Sequence, residues 1–220
     1  EHGRWLADLH PAEPAETVLE RLGTMPLPPY IKRPVADADD RQRYQTVFAR
    51  FGGSAAAPTA GLHFTDDLLD ACRQRELQLE HTTLHIGLDT FRPISTDRLD
   101  QHVMHTEWCR LTESATKTIL ETRQNRQRVV AVGTTVVRTL ESACQAGTLL
   151  AFEGTTDLFI RPGHKFAAID ALLTNFHLPR SSLFVLVSAF CGLELAHAAY
   201  AAAITGRYRF YSYGDAMLIL

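Results

Sequence analysis

Apolar positions recur along this chain with two periods, one helical and one extended. Tyr44, Val47, Phe48 and Phe51 fall at i, i+3, i+4 and i+7, which predicts a helix from Asp37 to Arg50 with these four on its buried face. Asp37 would cap it, Asp39 and Asp40 suit the positive end of its dipole, and Gly52-Gly53 ends it. Thr65 caps the next predicted helix, with Asp66 and Asp67 in its first turn and Leu68, Leu69 and Cys72 facing inward; a strand follows near 79–86. Upstream, Thr17 to Leu22 reads as a short helix stopped by Gly23. The prolines of Pro26-Leu27-Pro28-Pro29-Tyr30 fix an extended path, and residues 1–9 read as the end of a strand.

The second half alternates more regularly. Thr112 to Arg123 is a predicted helix, Val129 to Val132 a strand apolar on both faces, and Thr134 to Ala146 a helix closed by Gly147. Asp157 to Ile160 and Ala171 to Leu173 are further short strands, and Ser181 to Phe190 and Glu194 to Ile204 are helices. Apolar strands alternating with helices predict the α/β class, with a mixed, partly parallel sheet flanked by helices.

Composition narrows this picture. The chain has 220 residues, is 45% hydrophobic and carries a net charge of -3, enough to bury a core and short of a strongly basic nucleic-acid footprint. Arg123, Arg126 and Arg128, and Arg207 with Arg209, are the local basic candidates, each more simply a solvated face. The four cysteines form no CxxC pair and sit far apart, which suits a reducing compartment. The most apolar stretch, from Leu183 to Ile204, is broken by Glu194 and His197 and is too short to span a bilayer, so the cytoplasm is the expected location.

Polar segments between these elements hold the candidate chemistry. His63 lies in a turn with Thr59 and Gly61. His85 precedes a glycine turn holding Gly87, Thr90 and Arg92. His102, His105 and Glu107 form a third segment, Asn175, Phe176 and His177 a fourth, and a C-terminal segment holds Tyr213 and Asp215. The clearest physics is at Gly133-Thr134-Thr135, where a strand feeds straight into a helix. Free backbone N–H groups and the helix dipole there suit a carboxylate or phosphate. Thr135, Arg138 and Ser142 share one face of that helix, with Val136, Leu140 and Cys144 opposite and buried; a capped helix with an Arg138–Glu141 surface pair is an equal reading. No GxGxxG or GxxxxGK[ST] is present. A metal set of His102, His105 and Glu107 with His63 or His85 is conceivable, although the spacing matches no firm signature, and no Ser sits in a GxSxG elbow.

Together these segments resemble one family. MPLPPYI at 25–31, DRQRYQTVF at 40–48, AAPTAGLHF at 56–64, TLHIGLDTFRP at 83–93, HVMHTE at 102–107, VVAVGTTVVRTLES at 129–142, LLTNFHLPRSSL at 172–183 and YRFYSYGDAMLI at 208–219 are similar, in order, to S-adenosylmethionine:tRNA ribosyltransferase-isomerases. The resemblance covers nearly the whole chain. It implies a main α/β catalytic domain at 13–220 lacking its N-terminal part, and at 1–12 the remnant of an inserted β-barrel domain. A chain so truncated is expected to be inactive or poorly stable alone. Many members have Gly where this chain has Asp89.

The resemblance implies transfer and isomerisation of the ribosyl part of S-adenosylmethionine onto the 7-aminomethyl-7-deazaguanine base at the tRNA wobble position. S-adenosylmethionine is then a co-substrate, and neither a cofactor nor a metal is required; the enzyme is expected to be a monomer. The sulfonium acidifies its neighbouring carbon, so a base is needed, and departing adenine needs an acid. His63, His85, His102, His105 and His177 are the candidates. The amino-acid carboxylate calls for Arg138, Arg92, Thr134 or Thr135. Tyr30, Phe176 and Tyr213 are candidate flat surfaces for the rings. Thr59, Gly61, Gly87, Thr90, Glu107, Asn175 and Asp215 are the remaining implied contacts. Two other classes compete: a metal-dependent hydrolase using His63, His85, His102 and His105, and a non-catalytic tRNA-binding module.

Overall fold

The computed structural model describes residues 8, 13–25, 27–28, 30–31, 38–87, 94–145 and 147–220. The expected barrel remnant, the Asp37 cap, Thr90, Asp89 and Arg92 lie outside them.

The architecture is mixed α/β. Two helices come first, α1 (Ala15–Leu22) and α2 (Ala38–Arg43), and a 3-10 turn (Thr59–His63) leads into α3 (Asp66–Gln74). Strands β1 (Thr83–His85), β2 (Glu107–Leu111) and β6 (Phe152–Thr156) form an antiparallel sheet in the order β1-β2-β6. Between them run α4 (Glu113–Gln124), β3 (Val130–Val132), α5 (Thr134–Ala143) and a small hairpin of β4 (Cys144–Gln145) and β5 (Thr148–Leu149). The second sheet has the order β3-β7-β8, with β7 (Ala171–Asn175) parallel to β3 and antiparallel to β8 (Ala216–Ile219). Helices α6 (Ser182–Cys191) and α7 (Leu193–Thr205) connect β7 to β8.

Three helices start where a hydroxyl can cap them. Thr65, Thr112 and Ser181 accept from the N–H groups of Leu68, Ala115 and Phe184. Helix α5 lies between the sheets, touching β1, β2 and β6 on one side and β3 and β7 on the other. Val137, Leu140 and Ala143 from α5 join Leu111, Ala115, Ile119, Ala131, Leu172 and Leu186 in the main core.

Several expected elements differ. The helix predicted to Arg50 ends at Arg43, because the Gln45 and Thr46 side chains accept from the Thr46 and Phe48 amides and compete with the helical ladder. Its expected apolar face dissolves with it: Tyr44 is buried, while Val47 and Phe51 are exposed. Asp40 is buried and accepts from the Tyr213 hydroxyl at 3.1 Å. Leu68 points outward on α3. Strand β3 is not buried on both faces, since it forms one edge of its described sheet and Val130 is 49% exposed. Helix α5 ends at Ala143, and Gly147, at φ 82°, serves the β4–β5 turn instead of a helix cap. The strand expected at 157–160 lies at 152–156, and β2 and β8 carry no clear extended signal in the sequence. All four cysteines are free.

Candidate functional site

At the carboxyl ends of β3 and β7 the chain opens a cleft of about 620 Å³, its mouth included. That is where ligands bind in open α/β sheets. Its walls come from six places: the segment Ala56–Ala60, Ile86 after β1, Met104 and Glu107 at the start of β2, Gly133–Thr135 and Arg138 of α5, Thr174, Asn175 and His177 at the end of β7, and Ser182 and Leu183 of α6.

Glu107 is the first hub. Strand β2 turns Glu107, Cys109 and Leu111 to the protein interior, so a carboxylate occupies an inward slot. His105 Nε2 lies 2.9 Å from Glu107 Oε1, and Arg138 Nη1 donates to Glu107 Oε2. Both partners of the Arg138–Glu107 pair are almost fully buried, where removing one partner is far more disruptive than removing a surface ion pair. Arg138 Nε donates to the Leu158 carbonyl at 3.3 Å, while Nη2 is buried with no partner among the described residues. Arg138 therefore makes no surface pair with Glu141. Glu141 is itself buried and accepts from His164 and from the Ala167 and Ala168 amides.

Asn175 is the second hub. Thr59 donates to Asn175 Oδ1 at 3.2 Å, and Asn175 Nδ2 donates to His63 Nε2 at 3.0 Å. Accepting there, neutral His63 carries its proton on Nδ1. Beside it, His177 Nε2 lies 2.8 Å from the buried Thr174 hydroxyl, and the His177 N–H donates to the Tyr200 hydroxyl at 2.8 Å. Burial pushes the His177 ring down to about 4 and the Tyr200 phenol up to about 12.

The other expected residues fall as follows. Gly61 is buried under Phe48 and Thr46, where a Cβ would come within 3.0 Å of the Phe48 ring. Gly87 is exposed just past the cleft residue Ile86. His85 packs on Trp108, ring centres 5.0 Å apart, and does not line the cleft. His102 packs on Phe159, where burial first and nearby His105 second hold its ring below the ordinary histidine value. Phe176 offers no open face, being 5% exposed and enclosed by Tyr200, Tyr208 and Phe210. Tyr30 and Tyr44 share hydrogen bonds to the buried Ser212, and Tyr213 packs edge-on against Tyr44, so these tyrosines form their own cluster away from the cleft walls. Arg209, through its side chain and amide, holds the Asp215 carboxyl below its usual range, and Asp215 does not line the cleft. Thr174, Met104 and Ser182 lie in the segments picked out from the sequence but were given no role there. Only Thr174 carries a signal, as a polar residue closing an apolar strand next to Asn175.

Fold and site thus define an α/β protein with a largely apolar cleft at the carboxyl edge of a mixed sheet, with buried acid–base groups in its walls. Its sequence goes further: the family described as queuosine biosynthesis protein matches residues 1–219, and the chain belongs to it. It is 55% identical over 219 residues to the S-adenosylmethionine:tRNA ribosyltransferase-isomerase of Moorella thermoacetica, covering 99% of this chain and 63% of that one. It is 56% identical over 202 residues to the protein of that name in Azoarcus sp., covering 92% and 58%. The crystal structure of an S-adenosylmethionine tRNA ribosyltransferase from Thermotoga maritima superposes with a TM-score of 0.62 at 42% identity, over 73% of this chain and 51% of that one. The chain spans about three fifths of the length of the curated relatives it matches.

Proposed function

We propose that this chain forms the cleft-bearing part of an enzyme that moves the ribosyl group of S-adenosylmethionine onto the aminomethyl group of a 7-deazaguanine base at the tRNA wobble position. The product is epoxyqueuosine-tRNA, and adenine and methionine leave. S-adenosylmethionine is spent as a co-substrate with no separate cofactor, and the whole enzyme works as a cytoplasmic monomer. Among the described residues no single helix is long and apolar enough to cross a membrane.

One observation supports this reading above the others. The blocks that resemble the family, far apart in sequence, supply the walls of one cleft, with a buried carboxylate, a buried guanidinium and histidines in hydrogen-bonded places. The reaction needs such a set: a base for the carbon beside the sulfonium, and an acid for adenine. His177 stands at the wall, His63 is held behind it by Asn175, and His105 is oriented by Glu107. The hydrolase reading draws no comparable support. His85 and His102 pack on Trp108 and Phe159 and do not line the cleft, and no three His, Cys, Asp or Glu side chains converge as a ligand set among the described residues.

The test is adenine release from S-adenosylmethionine in the presence of substrate tRNA, using the protein that carries this chain. Replacing His63, His105 and His177 singly by Ala lowers the rate by about 100-fold or more for at least one of them, the usual contribution of a proton-transferring group. Three variants within tenfold of the parent would reject the assignment of proton transfer to this cleft.

A further inference from the structure

Two helices begin at the cleft, and their first turns differ. Helix α6 is closed by Ser181, whose hydroxyl accepts from the Phe184 amide at 3.1 Å. Helix α5 opens at Gly133, which makes no side-chain cap. The first-turn amides of Thr134, Thr135 and Val136 therefore have no partner of helical origin, and the positive end of the dipole faces the cleft. One turn on, Arg138 supplies an independent sign. The residue is 4% exposed and lines the same cleft; Nη1 is committed to Glu107 and Nε to Leu158, and Nη2 is buried and unpartnered among the described residues. A buried donor left unpaired is costly, which makes its retention beside an uncapped helix start a mark of a ligand acceptor.

We infer that the start of α5, the Thr135 hydroxyl and Arg138 Nη2 form an anion subsite that takes the carboxylate at the amino-acid end of S-adenosylmethionine. This rests on the function proposed above. Two features select a carboxylate over an RNA phosphate, which has the same charge. The guanidinium lies deep in a narrow cleft, where the end of a small molecule fits better than a polymer backbone. Next to it, Met104, Ala57 and Leu183 give an apolar wall suited to the methylene and sulfonium part of the same ligand. With Glu107 neutralising one unit of the local positive charge, the helix terminus and the spare donor together suit a monoanion.

The experiment compares S-adenosylmethionine with its decarboxylated analogue, by calorimetric binding to the protein that carries this chain. The wild type is expected to bind the analogue about 10- to 100-fold more weakly, the loss typical of a charge-assisted hydrogen-bond set. In Arg138→Lys, which keeps a cation opposite Glu107 but loses the spare nitrogen, and in Thr135→Val, that penalty shrinks to about threefold while the KM for tRNA is unchanged. Equal binding of the two ligands by the wild type overturns the subsite, as does equal weakening of both in the variants. A shift in the salt-dependent KM for tRNA without a change in the carboxylate penalty also overturns it, and assigns the donors to phosphate. Because binding is read directly, these results stand apart from adenine release. A wild type that binds S-adenosylmethionine with the carboxylate penalty yet releases no adenine sinks the proposed reaction and leaves the subsite.

Discussion

His177 sits where a charge is unwelcome: beside the buried Thr174, under the Tyr200 hydroxyl, with burial pushing its ring down to about 4. In the unfolded chain the same ring titrates near its ordinary value of about 6.5. Between those two values the unfolded state holds a proton that the folded state refuses, so acid favours unfolding there. Above about 6.5 both states are neutral and this contribution to the pH slope vanishes. Stability should therefore decline as pH falls from about 6.5 toward 4, and His177→Asn should remove part of that decline. Urea unfolding at several pH values checks it; parallel wild-type and variant curves across the window would refute it. Residue chemistry of this kind was half legible. A histidine between Asn175 and Pro179 stands out in the sequence, but the burial that sets its protonation comes from the folded surroundings and is not written beside it. Glu107 and Arg138, 31 apart, likewise gave no sign of being partners.

At the scale of elements, local signals were readable and distant ones were not. The Thr65 cap is written within three residues of its helix and stands as the sequence predicts, while Thr112 and Ser181, read as the first residues of their helices, prove to be their caps. Strands β2 and β6 owe their existence to each other across the sheet, and a string such as EWCRL shows no apolar alternation to announce it. The turn from β3 into α5 was legible as a glycine at a strand–helix junction. There Gly133 has φ 98° and ψ 146°, a backbone region in which side-chain-bearing residues are strained. A Cβ at this position would meet Thr135 Oγ1 at 3.5 Å and Ala60 at 3.6 Å, which is ordinary contact, so strain and not collision sets the effect. Gly133→Ala should cost about 1–3 kcal/mol of stability. It should also weaken S-adenosylmethionine binding by shifting the first turn of α5. Chemical denaturation with calorimetry checks both, and a variant as stable as its parent contradicts the strain argument.

Over the whole molecule, the expected class was right in outline: helices flank a mixed, partly parallel sheet. What the sequence pattern missed was the division into two described three-stranded sheets with α5 between them. Apolar residues also remain uncovered at both ends of the chain. Leu19 and Leu22 lie outward on α1, and on β8, an edge of its described sheet, Leu218 is 54% exposed. Open strand edges and paired surface leucines favour self-association. The 220-residue chain alone should therefore show light scattering that rises with concentration, reduced by Leu218→Lys together with Leu22→Lys. Scattering that is independent of concentration, or indifferent to both changes, would show these surfaces to be benign.

The register of β7 against β8 has a consequence for how the cleft wall is completed. Thr174 and Asn175 pair with Met217 and Ala216, and the Tyr211 amide donates to the Phe176 carbonyl. The strand that presents Thr174 and the Asn175 hub is thus flanked by a strand from far later in the sequence. The core around α4 and α5 is built largely from residues earlier in the chain, yet this cleft wall stays unfinished until β8 has paired. Losing β8 would then undo the wall while leaving most of the helices intact.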